Sequence, residues 1–320
     1  MQILSFAPKQ PPVICADAEL ATPTDGFYWL DIERNEIDWA NQLQSWLGIT
    51  IHERHLTDSF NEHHPPFYDS TDDYDMLIVR TWNPQSSVEA PTTQTVMLFI
   101  TENAIISIRP PGNPVFVPII ERLLKGRNKQ LVSLTMLFYL LLDRIINSLL
   151  NRRDGIAELL SDWQMSLLDE GNAFKEWRSL MQLRIHLRRL EAMSEAQQDA
   201  FANWRQQTHL NIDENLTVRF NDLAEHLGRV LQSTIVLQHD IDALIQIYFS
   251  VVSQRTNKIL QLLTIVSVTF LPLNLIAGLF GMNFEYMPFL HHPLGAGVVF
   301  GVMIVIVLIM LWLLKRHKWL

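Results

Sequence analysis

A single cysteine, Cys15, is all the thiol that 320 residues contain, so no disulfide can form within the chain. That suits a domain facing the reducing cytoplasm and leaves stability to apolar burial. Proline is missing between Pro118 and Pro272, and twelve of the fifteen prolines fall at or before Pro118. Without the strongest helix breaker, the chain is expected to change from mixed structure to long helices near residue 119. Lys and Arg are absent from 281–293. The signatures of catalysis are absent as well: there is no phosphate loop, zinc-hydrolase spacing or nucleophile elbow, and Asp73 with Asp75 forms no metal motif, so an enzyme is not expected. Residues 1–13 hold three prolines and no basic stretch ahead of a long apolar core, which predicts no cleaved signal peptide. No internal repeat or low-complexity tract is found.

Long uncharged apolar runs are confined to the end of the chain, at 259–280 and 294–314. Each is about 21 residues, enough to cross roughly 30 Å of hydrocarbon as a helix. An earlier run, 131–142, is too short and ends on Asp143 and Arg144, so it reads as a buried helix of a soluble domain. Arg255 and Lys258 precede the first span, and Lys315, Arg316 and Lys318 follow the second. Both termini are therefore expected in the cytoplasm, with a short external loop between the spans. Net charge is −9, and the region before the spans is more acidic than the tail, a balance that repels nucleic acid and attracts cations.

Ahead of Pro118, the β-branched and aromatic runs 27–32, 76–82, 93–101 and 104–109 read as strands, the last two as a hairpin across Glu102 and Asn103. Amphipathic stretches at 38–47 and 51–59 supply helices, and 109–114 is a proline-rich loop. The expected order is a cytoplasmic α/β domain (1–118), a cytoplasmic helical region (119–210) with Gly155 and Gly171 as joints, and a stalk helix (211–258). A first span (259–280), an external loop (281–293), a peripheral second span (294–314) and a basic cytoplasmic tail (315–320) follow. Leu216, Phe220, Leu223, Leu227, Val230 and Leu231 recur at three-and-four spacing, continued by Ile235, Leu244 and Tyr248. A helix over 211–280 would be on the order of 100 Å long, and its apolar stripe is expected to need neighbouring subunits for cover.

The first span is polar on one side: Asn257, Leu260, Leu263 or Thr264, Ser267, Leu271, Asn274 and Gly278 recur every three or four residues. Polar groups in hydrocarbon face a bundle interior or water, although helix packing through small and polar residues is an alternative. The second span is purely apolar after Gly295, Gly297 and Gly301 and is expected to face lipid. A hairpin with one polar-faced helix can make a pore only by oligomerising.

Between the spans, Gly281-Met282-Asn283-Phe284-Glu285-Tyr286-Met287-Pro288 resembles the signature loop of the CorA family of magnesium channels. Leu263-Thr264, Phe270-Leu271-Pro272-Leu273, Ile276-Ala277-Gly278-Leu279-Phe280 and the ending Lys315-Arg316-His317-Lys318-Trp319-Leu320 are similar to that family too. The resemblance covers the whole architecture. It implies an α+β membrane protein of the bacterial inner membrane, with a cytoplasmic α/β domain and a stalk helix continuous with a pore-lining span, assembled as a homopentameric funnel. Family members often carry Tyr at the position of Phe280, a second acid at Phe289 and Thr at Asn274. Here Glu285 is left as the only acid of the loop.

The resemblance implies gated influx of magnesium, with cobalt and nickel also permeating. Magnesium gives up water reluctantly, so neutral oxygens of Gly281 and Asn283 suit a hydrated ion, with Met282 shaping the loop. Deeper rings of Leu260, Leu263 and Leu271 can gate by dewetting, and Asn257 and Asn274 can meet the passing ion. Family alignment of Leu56-Thr57-Asp58 and Phe220-Asn221-Asp222 makes Asp58 and Asp222 the expected cytoplasmic sensor pair between subunits, whose bound cation holds the pore closed. Thr57 stands where an acid is common. His52, His55, His63 and His64 surround Asp58, and His291 with His292 ends the loop; imidazole favours zinc, cobalt or nickel. A zinc transporter of the same superfamily is the alternative within transport, and a non-conducting membrane sensor the alternative outside it.

Overall fold

The computed structural model describes residues 1–8, 10–15, 26–36, 38–125, 133–169, 174–282 and 294–316. Two compact units divide the chain, Met1–Leu244 and Ile245–Leu320.

In the first unit, β1 (Gln2–Phe6), β2 (Val13–Cys15), β3 (Phe27–Glu33), β4 (Phe67–Ser70), β5 (Asp75–Trp82), β6 (Thr93–Ile100) and β7 (Ala104–Arg109) form one sheet in the order β2-β1-β3-β7-β6-β5-β4. The hairpin of β6 and β7 is as the sequence predicts. Strands β3 and β7 pair in parallel, and the other neighbours are antiparallel. A sheet covered on both faces needs apolar residues at nearly every position, and β3 is accordingly buried along almost its whole length. On one face Leu30, Ile32, Ile78 and Phe99 pack with Trp39 and Leu43 of α1 (Trp39–Leu47), beside α2 (Glu53–Phe60). On the other, Trp29 meets Phe116 edge-on at 5.7 Å, ahead of α3 (Val117–Leu124). Two longer helices, α4 (Leu134–Leu168) and α5 (Trp177–Gln207), contact β5. At the parallel junction Arg109 Nε donates to Asp31 at 2.8 Å and its Nη1 to Glu33 at 2.8 Å. Burial pushes the Asp31 carboxyl up and Arg109 opposes that shift, so the pair is held by geometry as much as by charge.

Strands β1, β2 and β4 are absent from the sequence reading; each is five residues or fewer, too short for alternation to stand out. Gly155 is not a joint: α4 runs straight through it, and a Cβ there would meet only Val88 at 3.7 Å. Strong helix formers on either side outweigh one glycine, a penalty of about 1 kcal/mol. Gly171 lies outside the described residues, between the end of α4 and the start of α5.

Helix α6 (Glu214–Phe280) begins where Asp213 Oδ1 accepts from the Leu216 amide at 2.7 Å. Its stripe from Leu216 to Leu244 does not wait for neighbouring subunits, contrary to the sequence expectation, because the chain's own helices cover it. Phe220 is fully buried, with ring centroids 6.5, 6.4 and 5.0 Å from Phe138, Phe201 and Trp204. Further along, Arg184 of α5 pairs with Asp242 at 2.8 Å. Periodicity identified the buried Leu216, Phe220, Leu223, Leu227, Val230 and Leu244, but Leu231, Ile235 and Tyr248 are only part-buried, Thr234, Leu237 and Ile241 take the buried positions between, and spacing cannot say whose residues cover the stripe.

Among the described residues three helices are long and apolar enough to cross a membrane: α4, α6 and α7 (Gly295–Arg316). The apolar window of α4 is half buried within its own unit, as a core helix requires, whereas those of α6 and α7 hold no fully buried residue.

In the second unit, the end of α6 and α7 cover one another along one side each. Gln261, Ile265, Thr269, Leu273, Ile276 and Phe280 on α6 are part-buried, as are Val299, Met303, Val307, Met310 and Leu314 on α7. Both sets follow the three-and-four spacing of a single helix face. Gly295 is buried, and Gly295 and Ala296 line a cavity of about 430 Å³ with Ala277, Phe280 and Gly281.

Candidate cation pathway

At about 100° per residue, the face of α6 turned to α7 lies roughly opposite the sequence-derived polar face. Asn257, Leu260, Leu263, Thr264, Ser267, Leu271, Asn274 and Gly278 are all exposed in the isolated chain. Leu260, Leu263 and Leu271 are 53%, 60% and 69% exposed. A helix packing by its polar face would have turned these residues to α7. It turns Ile265, Leu273, Ile276 and Phe280 there instead, so packing within the hairpin does not account for the polar residues.

Thr264 Oγ1 donates to the Leu260 carbonyl at 2.8 Å within its own helix. With its hydrogen committed, the hydroxyl presents lone pairs outward, which is the polarity that the outward-pointing hydrogens of a hydrated cation need. Pro272 has no amide hydrogen, so the Val268 carbonyl cannot take its usual helical bond, although α6 continues to Phe280.

At the end of α6 the Gly281 amide donates to the Ala277 carbonyl at 2.8 Å and the Met282 amide to Leu279 at 3.3 Å. A Cβ on Gly281 would stand 3.0 Å from the Ala277 oxygen, so the tight finish favours glycine. The last carbonyls of a helix carry the negative end of its dipole, which suits a cation at this terminus. Asn283 and Glu285, with His291 and His292, lie outside the described residues.

Asp58 on α2 and Asp222 on α6 each lie beside a histidine of their own. Asp58 Oδ1 is 3.7 Å from His64 Nε2, and Asp222 Oδ2 is 3.4 Å from His226 Nε2, one helical turn along. Their side chains are 21% and 57% exposed. Among the described residues no three His, Cys, Asp or Glu side chains converge as a metal site within the chain. The His226 partner escaped the sequence reading, although its four-residue spacing from Asp222 was visible. His226 Nδ1 is buried with no hydrogen-bond partner among the described residues. Two of the other histidines near Asp58 are structural: His52 Nδ1 accepts from the Arg54 amide, capping α2, and buried His55 joins Tyr74 at 2.8 Å to Asp69 at 3.1 Å.

Comparison with known proteins covers nearly the whole chain. The profile of the family described as CorA-like Mg2+ transporter protein matches residues 24–316. A cobalt/magnesium transport protein CorA from Thermotoga maritima is 26% identical over 305 residues, covering 94% of this chain and 84% of that protein. The complete structure of a CorA magnesium transporter from Methanocaldococcus jannaschii superposes with a TM-score of 0.86 at 18% identity, covering 100% and 99% of the two chains. The cytoplasmic domain of ZntB from Vibrio parahaemolyticus matches with a TM-score of 0.63 at 13% identity over 79% of this chain and 98% of that one. At such identities the structural matches establish the fold alone. The whole-length profile match, together with two apolar helices flanking Gly281-Met282-Asn283, leads to one assignment: the chain belongs to the CorA family of Mg2+ transporter proteins.

Proposed function

We propose that this chain is a gated channel for hydrated divalent cations, built as a homopentamer around the polar face of α6. The observation that carries the reading is the division of α6 into two opposite faces. One is part-covered alongside α7; the other bears Asn257, Thr264, Ser267 and Asn274 among exposed leucines and leads to Gly281. Charge-free hydrocarbon gives such a face no partner, and five copies converging on a water-filled axis would.

In this reading α7 is the peripheral span, both termini are cytoplasmic, and 281–293 lies outside the inner membrane. Five α6 ends bring carbonyl-rich, negative helix termini to the outer mouth, where Gly281 carbonyls and Asn283 amides accept hydrogen bonds from the waters of the ion. Glu285 raises the local cation concentration. Leu260, Leu263 and Leu271 form dewetting constrictions, and Asn257, Thr264, Ser267, Asn274 and the bare backbone of Gly278 leave room and acceptors for the hydration shell. The inward-negative potential drives entry. Asp58 of one subunit and Asp222 of the next bind cytoplasmic magnesium and hold the closed state.

Magnesium is the leading permeant ion, with cobalt and nickel following. The relative from Thermotoga maritima is named for cobalt and magnesium, and Met282 keeps the magnesium-type triplet. A zinc transporter is the second reading, favoured by the histidines beside both proposed sensor acids. Uptake of each metal into proteoliposomes, with and without a proton gradient, separates the two. Magnesium entry that needs no proton gradient is expected, and zinc entry without magnesium entry would overturn the assignment.

A further inference from the structure

Between α5 and the ends of β5 and β6 lies a cavity of about 450 Å³, within the size range of small-molecule sites. Its wall includes Arg80, His63, Thr92, Thr93, His186 and Arg189. No Asp or Glu is among its lining residues, in a chain whose acids outnumber its bases by nine. A face that so departs from the average charge calls for a reason.

Arg80 is clamped in place by neutral acceptors. Its Nε donates to Thr93 Oγ1 at 3.1 Å, its Nη1 to Thr95 Oγ1 at 2.6 Å and to the Glu62 and His64 carbonyls at 3.2 Å, and its Nη2 to the Thr93 carbonyl at 2.7 Å. Behind it Arg34, only 5% exposed, donates to the Ser59 and Thr95 carbonyls. Neither guanidinium has a carboxylate ion pair among the described residues. Burial, then the charge of Arg34, holds the Arg80 guanidinium below its ordinary range. Burial, then Arg189, does the same to His186. Glu62 is the acid that offsets Arg34. Arg80 has no acid offsetting it in that way; a sequestered cation without a counter-charge is costly, and an anion in the cavity would relieve it.

The cavity also offers hydrogen-bonding groups. Thr92 Oγ1 accepts from Asn83 Nδ2 at 3.1 Å and so keeps its own hydrogen to donate. Arg189 is exposed and presents the planar fork that matches phosphate oxygens. Pro66 and Met193 add an apolar wall to the same cavity, with Met193 Sδ accepting from Thr93 Oγ1 at 3.0 Å.

We propose that this cavity binds a small phosphate-bearing anion, with Arg189 and Thr92 contacting the phosphate and Arg80 supplying fixed positive charge behind them. The site is separate from the cation pathway and does not depend on the transport reading. A chain that carries cations in the membrane would thereby take an anionic ligand in its soluble unit.

Calorimetry on the full chain in detergent, in metal-free buffer at fixed ionic strength, tests this with pyrophosphate, ATP and adenosine. Saturable binding of pyrophosphate or ATP is expected, weakened about tenfold or more by Arg189→Glu, the loss of one charge-assisted hydrogen bond. Arg188→Glu changes the same net charge at an exposed neighbour outside the cavity lining and is expected to leave binding within about twofold, a surface charge pair contributing little. Binding of both phosphates marks the phosphate as the recognised group, and binding of ATP alone adds the apolar wall. Absence of saturable binding, equal effects of the two variants, or adenosine binding as tightly as ATP would overturn the proposal.

Discussion

Alanine in place of Asn283 is expected to cut magnesium flux by about a hundredfold or more while the assembled oligomer persists. The argument combines the chemistry of the ion with the geometry of α6. Magnesium keeps its inner waters, so selection at the mouth acts through hydrogen bonds from those waters to fixed oxygens. Gly281 ends α6 in a tight turn onto the Ala277 carbonyl, and Asn283 follows two residues later. In the proposed pentamer the amide oxygens form a ring that alanine abolishes at every position at once. Each hydrogen bond to a charged group is worth about 1.5–3 kcal/mol, so losing the equivalent of two is enough for the effect. Size-exclusion profiles matching the parent, with stopped-flow uptake lost, is the expected pair of results; parental flux would remove Asn283 from the filter.

The second large effect concerns closure. With Asp58→Asn and Asp222→Asn combined, internal magnesium is expected to lose its hold on the pore. A regulatory ion shifts a gating equilibrium only by its differential affinity for the two states, and coupling energies of that kind are about 1–3 kcal/mol, or 5- to 150-fold. Parent vesicles loaded with magnesium should therefore conduct less than empty ones by a factor in that range, and the double variant should conduct alike in both. The substitutions keep side-chain volume, and both acids are at least partly exposed, each with a histidine as its one close charged-group neighbour among the described residues, so the fold is not at stake. Closure that survives in the double variant would assign the sensor elsewhere. The distance between the two acids within one chain is not the relevant geometry, since the proposed ion bridges subunits.

The sequence made the spans legible because twenty apolar residues have few other uses, and the polar face of α6 because its spacing is helical. It made the hairpin of β6 and β7 legible through two apolar runs interrupted by Glu102 and Asn103. The three-residue β2 left no pattern to read, and the parallel junction of β3 with β7 depends on residues far apart in the chain. The stripe from Leu216 to Leu244 is the instructive miss. Its period required a partner, and the expectation of a neighbouring subunit overlooked Phe138, Phe201 and Trp204 of the same chain. Beyond Leu244 that cover stops, and the polar face is the one that the proposed pentamer would bury.

Cysteine accessibility along α6 tests that division of faces most directly, and Cys15 as the single native thiol makes the background simple. In a Cys15→Ser chain reconstituted in vesicles, Leu260→Cys, Thr264→Cys, Ser267→Cys and Asn274→Cys should react with a small water-soluble thiol reagent, and magnesium should slow the reaction. Ile265→Cys, Thr269→Cys, Leu273→Cys and Ile276→Cys should remain unmodified on the same timescale. The reverse pattern, or equal reactivity on both faces, would contradict a cation pathway along the polar face of α6.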